Sequence, residues 1–193
     1  MTNLRMRLRA ETREEHALID DLYGQHDLSG REGLAVFLRA QALALSWCLS
    51  ALPYAMADRA RNLNGMICAI ADDLAGLGAP AQTDRRSPPA RFELEPLGLI
   101  YVVAGSRLGA RLLVRDVLRS EDATVRTATR FLTCPEGDAL WRDVLEELSE
   151  WSGSQDEEER IIAAARAGFG WFAIAHQDTH RTLPQHDKHY RIA

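Results

Sequence analysis

The sequence predicts an all-α protein, a single-domain bundle of several helices. Apolar residues recur at three- and four-residue spacing along nearly the whole chain, the signature of amphipathic helices. No segment alternates in the way a strand does, and no internal repeat is present. The helix-boundary residues also fall where those periodic stretches begin and end. A chain of 193 residues suffices for one domain with a substantial core, and two would be cramped.

Taken in order, Leu4, Leu8, Thr12, His16 and Ile19, flanked by Leu18 and Leu22, form one stripe with a period of about 3.6 residues. A first helix is therefore expected up to Gly24, with His16 in phase with the leucines and facing inward. Ser29 and Glu32 have capping-box spacing and open a second helix, "GLAVFLRAQALALSWCLSAL", that ends at Pro53. A third, over 64–76, closes at Gly76 and Gly78, residues suited to helix termination. "APAQTDRRSPPAR", 79–91, reads as a loop. Pro96 suits the first turn of the next helix, which continues to about Arg119. A short helical stretch near 122–132 precedes a turn at Cys134, Pro135 and Gly137, and "DALWRDVLEELSEW" is again amphipathic. Ser154 and Glu157 form a second capping box ahead of the last long helix. The domain is expected over 1–180, with an aperiodic tail at 181–193.

The net charge of −5 argues against nucleic-acid binding by bulk attraction, which needs an excess of Lys and Arg. The charge is uneven: Arg5, Arg7, Arg9 and Arg13 stand against Glu11 at one end, while Glu136 to Glu159 is strongly acidic. Cys48, Cys68 and Cys134 form no CxxC pair, which suggests a reducing compartment. No secretory pattern is visible, and no run approaches the ~18–20 apolar residues that span a bilayer. A soluble, cytoplasmic monomer, binding neither membrane nor nucleic acid, is expected.

Two features carry chemistry. His16 has Asp20 one helical turn later, where a carboxylate can orient a metal-bound imidazole. Arg9 and Arg13 lie on nearly the same face, placed to meet carboxylates of a ligand. A di-iron site would need Glu-x-x-His pairs on facing helices, and "EEH" has the wrong spacing. The second feature is Gly105 and Gly109, one turn apart on the most apolar helix. Each glycine costs about 1 kcal/mol there, and together they strip a groove of side chains. The groove serves either close helix packing or the approach of a flat ligand to the backbone. The spacing is not GxGxxG and no strand precedes it, so a dinucleotide loop fails. His176 and His180 are also one turn apart, with His186 and His189 beyond; without a third placed ligand they do not define a zinc site.

Taken together, the sequence resembles the haem oxygenases, and most closely their bacterial branch. The resemblance rests on "LRAETREEHALID" as the proximal helix and "LGLIYVVAGSRLGARLL" as the distal helix, the latter against a bacterial pattern of LYVLEGSxLGG. "ADDLAGLG" between them and "AARAGFGWF" in the last helix support it. It implies a haem-oxygenase-like bundle with haem b between the proximal and distal helices. His16 would be the axial iron ligand, steadied by Asp20. Gly105 and Gly109 would lie above the haem, and Ser106 would stand where the mammalian branch has an aspartate in its water network. Tyr101 matches a tyrosine of the bacterial pattern, Arg9 and Arg13 would reach the propionates, and Phe169 and Phe172 would wall the pocket. The implied reaction is oxidative cleavage of haem to biliverdin, carbon monoxide and ferrous iron. Haem would be both substrate and cofactor, with O2 and an external electron donor, a ferredoxin or flavoprotein reductase. Two departures stand out. Ala104 replaces a glutamate, and Ala110 replaces a glycine of the distal helix, placing a methyl near its bend. The second motivates an alternative, a haem- or bilin-binding carrier or sensor without turnover.

Overall fold

Where the apolar stripes are long, the chain forms long helices. A computed structural model describes residues 3–80, 87–89 and 94–182. Among them are eight α-helices: α1 (Leu4–Glu11), α2 (Arg13–Tyr23), α3 (Arg31–Ala51), α4 (Ala57–Gly76), α5 (Pro96–Leu118), α6 (Ala123–Thr127), α7 (Pro135–Glu150) and α8 (Gln155–Thr182). A 3₁₀ turn, Tyr54–Met56, leads into α4. No strand occurs among the described residues, as the periodicity predicts. Most of the expected 79–91 loop, and the expected tail beyond Thr182, lie outside them; Arg181 and Thr182 continue α8.

The bundle is organised around α8, against which α5, α3 and α2 pack, while α7 packs on α5 and α4. The small residues of "AAARAG" make this possible. Ala164 and Ala165 are fully buried, and α5 comes so close that a side chain at Gly98 would run into the Ile161 carbonyl and the Ala164 methyl. Both expected termini of α8 and α5 hold: Pro96 occupies the first turn of α5. At α8 the Glu157 N–H donates to Ser154 Oγ at 3.3 Å, and the Ser154 N–H donates back to the Glu157 carboxylate at 2.7 Å.

Four local expectations need correction. The first helix is two helices, broken at Thr12, whose ψ of 14° ends α1. Thr12 is buried, and both its N–H (3.0 Å) and its hydroxyl (2.8 Å) donate to the Leu8 carbonyl, so the side chain pairs with the backbone locally. Ser29 does not cap α3, since Gly30 is the capping residue. Ser29 is held instead in a turn in which its N–H and hydroxyl both donate to Asp27. The third helix starts at Ala57, well before 64. Gly137 lies inside α7 rather than in a turn, and its missing side chain leaves room for the Arg107 side chain.

Arg107 belongs to a buried polar clamp that fixes the α6–α7 connection. Its guanidinium donates to the carbonyls of Phe131 (3.0 Å) and Leu132 (2.8 Å). From the other side, the Asp73 carboxylate on α4 accepts from the N–H groups of Arg130 (3.1 Å) and Phe131 (2.9 Å). Burial pushes the Asp73 carboxyl up, and those two N–H groups pull it back. Asp73→Ala leaves two amides short of acceptors, at about 1–3 kcal/mol for a buried unsatisfied group. The variant is expected to lose about 3 kcal/mol and roughly 10 °C in melting temperature, read by circular dichroism.

Contrary to the expectation of no membrane-length run, α3 and α5 are each long and apolar enough to cross a membrane. Both are built into the bundle. The apolar stretch of α3 is mostly buried, whereas only half of that of α5 is. The open half of α5 is where the glycines lie.

Candidate functional site

Along α5, Tyr101, Gly105, Leu108, Gly109 and Leu112 fall on one stripe. Leu108 and Leu112 are 56% and 61% exposed. A Cβ placed on Gly105 or Gly109 would meet nothing within 4 Å. Helix packing therefore does not explain the glycine pair, because no helix of the described residues is packed there. The sequence marks the glycines; it does not mark the two leucines, since exposure of an apolar residue depends on which face the rest of the bundle covers.

His16 is exposed rather than buried as its phase suggested, its side chain 59% accessible. The break at Thr12 is the reason: α1 buries Leu4 and Leu8, whereas α2 restarts with its own rotation and buries only Tyr23. His16 Nδ1 lies 3.0 Å from the Asp20 carboxylate. That contact selects the tautomer with the proton on Nδ1 and leaves the Nε2 lone pair available. The ring meets Phe169 edge to face, with centroids 5.8 Å apart.

The same turn of α8 links the two helices. Gly168 faces Leu99 and Val102 on α5, and Phe169, its neighbour, meets His16 on α2. Phe172 is buried, and its carbonyl accepts from the Tyr23 hydroxyl at 3.1 Å, which ties the end of α2 to α8.

The remaining sequence-derived residues are distributed around this arrangement. Tyr101 is half-buried against Trp141 (6.4 Å). Burial pushes its phenol up, and the positive charges of Arg5 and Arg9 pull it back, so Arg9 lies near the start of the α5 stripe. Arg13 is exposed and borders a groove of about 230 Å³ with Glu11, Glu14, Glu15 and Arg166. Neither His16 nor the glycine pair lines that groove. Ser106 is exposed, and its hydroxyl donates to the Val103 carbonyl at 2.7 Å.

An apolar face and an imidazole are the kinds of group that a haem would need. The stripe offers a flat, apolar face with no side chain at its glycines, and His16 offers an imidazole with one nitrogen free. The chain is similar in structure to the NO- and CO-bound haem oxygenase of Neisseria meningitidis, with a TM-score of 0.68 over 96% of each chain at 20% sequence identity. The fold is the haem oxygenase fold. In sequence, the chain is 31% identical over 104 residues to a haem oxygenase of Xanthomonas campestris pv. campestris (strain 8004). That match covers 54% of this chain and 62% of the relative, so the chain spans less than two thirds of the relative's length. No family model matches.

Within the haem oxygenase fold, both departures of α5 are buried. Ala104 is fully buried and Ala110 is 4% exposed, both in the bundle core. The Ala110 methyl therefore does not enter the open glycine face, and the reading of a carrier without turnover loses the feature that suggested it.

Proposed function

We propose that this chain is a haem oxygenase, with haem seated between α2 and the glycine face of α5. One observation carries the reading: Gly105 and Gly109 face open space on an apolar stripe. A helix that gives up two side chains one turn apart without gaining a packed neighbour is shaped for a ligand that approaches its backbone. When bound, haem b supplies the iron at which O2 is activated and the macrocycle that is opened to biliverdin, carbon monoxide and ferrous iron.

The chain's own residues do the rest. His16 would offer Nε2 to the haem iron, and Asp20 would hold the ring by Nδ1–H. Gly105 and Gly109 would let the α5 backbone come close to a bound haem and narrow the space left for a small ligand there. Arg9 and Arg13 are the cations nearest the His16 face in sequence and serve the propionates. Ser106 Oγ–H is committed to Val103, so the oxygen acts as an acceptor that holds a water, whose proton is the one delivered. Phe169 backs the His16 ring.

No flavin, nicotinamide or iron–sulfur motif is present in the sequence, and electrons come from an external ferredoxin or flavoprotein reductase. The free thiols Cys48, Cys68 and Cys134 suit a monomer of the reducing cytoplasm. A titration of the purified chain with haem tests the reading. One equivalent should bind with the Soret band of a histidine-ligated haem; a chain without stoichiometric uptake is an interaction bundle instead. Asp20→Ala should weaken haem binding by about 10–100-fold, the usual effect of removing a ligand's orienting partner, with unchanged melting of the apoprotein.

A further inference from the structure

We propose that His26, His176 and His180 form a second metal site, for a divalent transition-metal ion of the zinc type, that clasps the end of α8 to the turn after α2. The sequence shows His176 and His180 at a spacing of four, which puts both rings on one helical face, but it does not supply a third ligand. The fold does. The connection between α2 and α3 carries His26 to that face, where its ring centroid lies 5.0 Å from His176 and 5.1 Å from His180, and those two are 4.6 Å apart. One donor nitrogen from each falls within 4.8 Å of the other two. Zinc with bonds of about 2.0–2.1 Å in tetrahedral geometry draws such nitrogens about 1 Å closer. His26 is only half-buried and His180 exposed, so both have room to turn.

The second observation is the shortage of other partners. His176 is 5% exposed, and among the described residues neither ring nitrogen makes a hydrogen bond of normal geometry, with the Leu22 backbone beside it outside the cluster; the buried Nε2 of His26 makes none either. Buried polar atoms without partners are rare and ask for a water or an ion. His176 lies in the packed part of α8 against Tyr23, so its burial is built in. Three imidazoles without a carboxylate exclude the hard cations magnesium and calcium and suit zinc or a neighbouring first-row ion. Desolvation, followed by the charges of His176 and His180, pushes His26 down to about 4. Desolvation lowers His176 as well. Both rings are therefore neutral donors at neutral pH. The exposed side at His180 leaves a fourth position for water.

The clasp is independent of haem: His16 and the glycine pair are not among its ligands. Its function is mechanical, because α2 carries His16 at one end and runs to the His26 turn at the other. The test uses the haem-free full-length chain. Calorimetric titration should give one Zn²⁺ per chain, and Co²⁺ should develop the visible absorption of a four-coordinate site. At a hundredfold excess over Kd, zinc should raise the melting temperature by roughly 5–10 °C. H26A and the surface variant H180Q should each weaken binding by at least about 10–100-fold. H16A and the double variant H186A/H189A should bind zinc as the parent does. Absence of binding would overturn the clasp. So would binding that survives H26A and H180Q, or that depends on His16, His186 or His189.

Discussion

Replacing His16 with alanine is expected to abolish biliverdin formation and the Soret band of a histidine-ligated haem while leaving the apoprotein folded. The two halves of this result have separate causes. The ring is exposed, and it meets Asp20 and Phe169. Its removal therefore forfeits an edge-to-face contact of about 0.5–1.5 kcal/mol and opens no cavity in the core. A histidine serving the fold would have shown the reverse, a large loss of stability on truncation. As the proposed iron ligand, by contrast, His16 has no substitute one turn to either side: those residues are Thr12, Arg13, Ile19 and Asp20, none of which offers an imidazole. Circular dichroism with a haem titration reads both halves in one preparation. Histidine-type ligation that persists in H16A would place the iron elsewhere.

The second large effect is expected at the glycine face. Gly105→Leu and Gly109→Leu should each cut haem affinity and turnover by at least tenfold, and the double variant should remove both. Melting of the apoprotein should stay constant or rise. A Cβ at either position meets nothing within 4 Å, and replacing a helical glycine by a better helix former adds up to about 1 kcal/mol. Stability and activity therefore move in opposite directions, which a packing role for these glycines does not allow. Gly98 is the internal control on the same helix. There the Ile161 carbonyl and Ala164 already occupy the space, so even alanine should destabilise the fold.

What the sequence revealed and what it hid divide along physical lines. Helix content was legible because the apolar period is local, and the starts of α5 and α8 were legible because Pro96 and the Ser154–Glu157 pair act within one turn. The His16–Asp20 contact was legible for the same reason. The orientation of His16 was not. Whether a stripe stays in phase through Thr12 depends on what packs on each side of it: α1 lies against α7 and α8, and α2 against α8. Gly137 was misread as a turn because its cause, the Arg107 side chain, comes from a distant helix. His26 carried no local signal at all, since its partners lie about 150 positions later in the chain. The alanine departures show the same limit. Ala110 looked like a defect in the distal helix, and only burial shows that its methyl points into the core.

The most direct measurement is a single turnover: the purified full-length chain, one equivalent of haem, O2 and ascorbate or a ferredoxin reductase system, followed by absorbance. The account predicts loss of the Soret band, rise of the biliverdin absorption and release of carbon monoxide and ferrous iron. A bound haem that cycles between ferric, ferrous and oxygenated forms with its ring intact would contradict it.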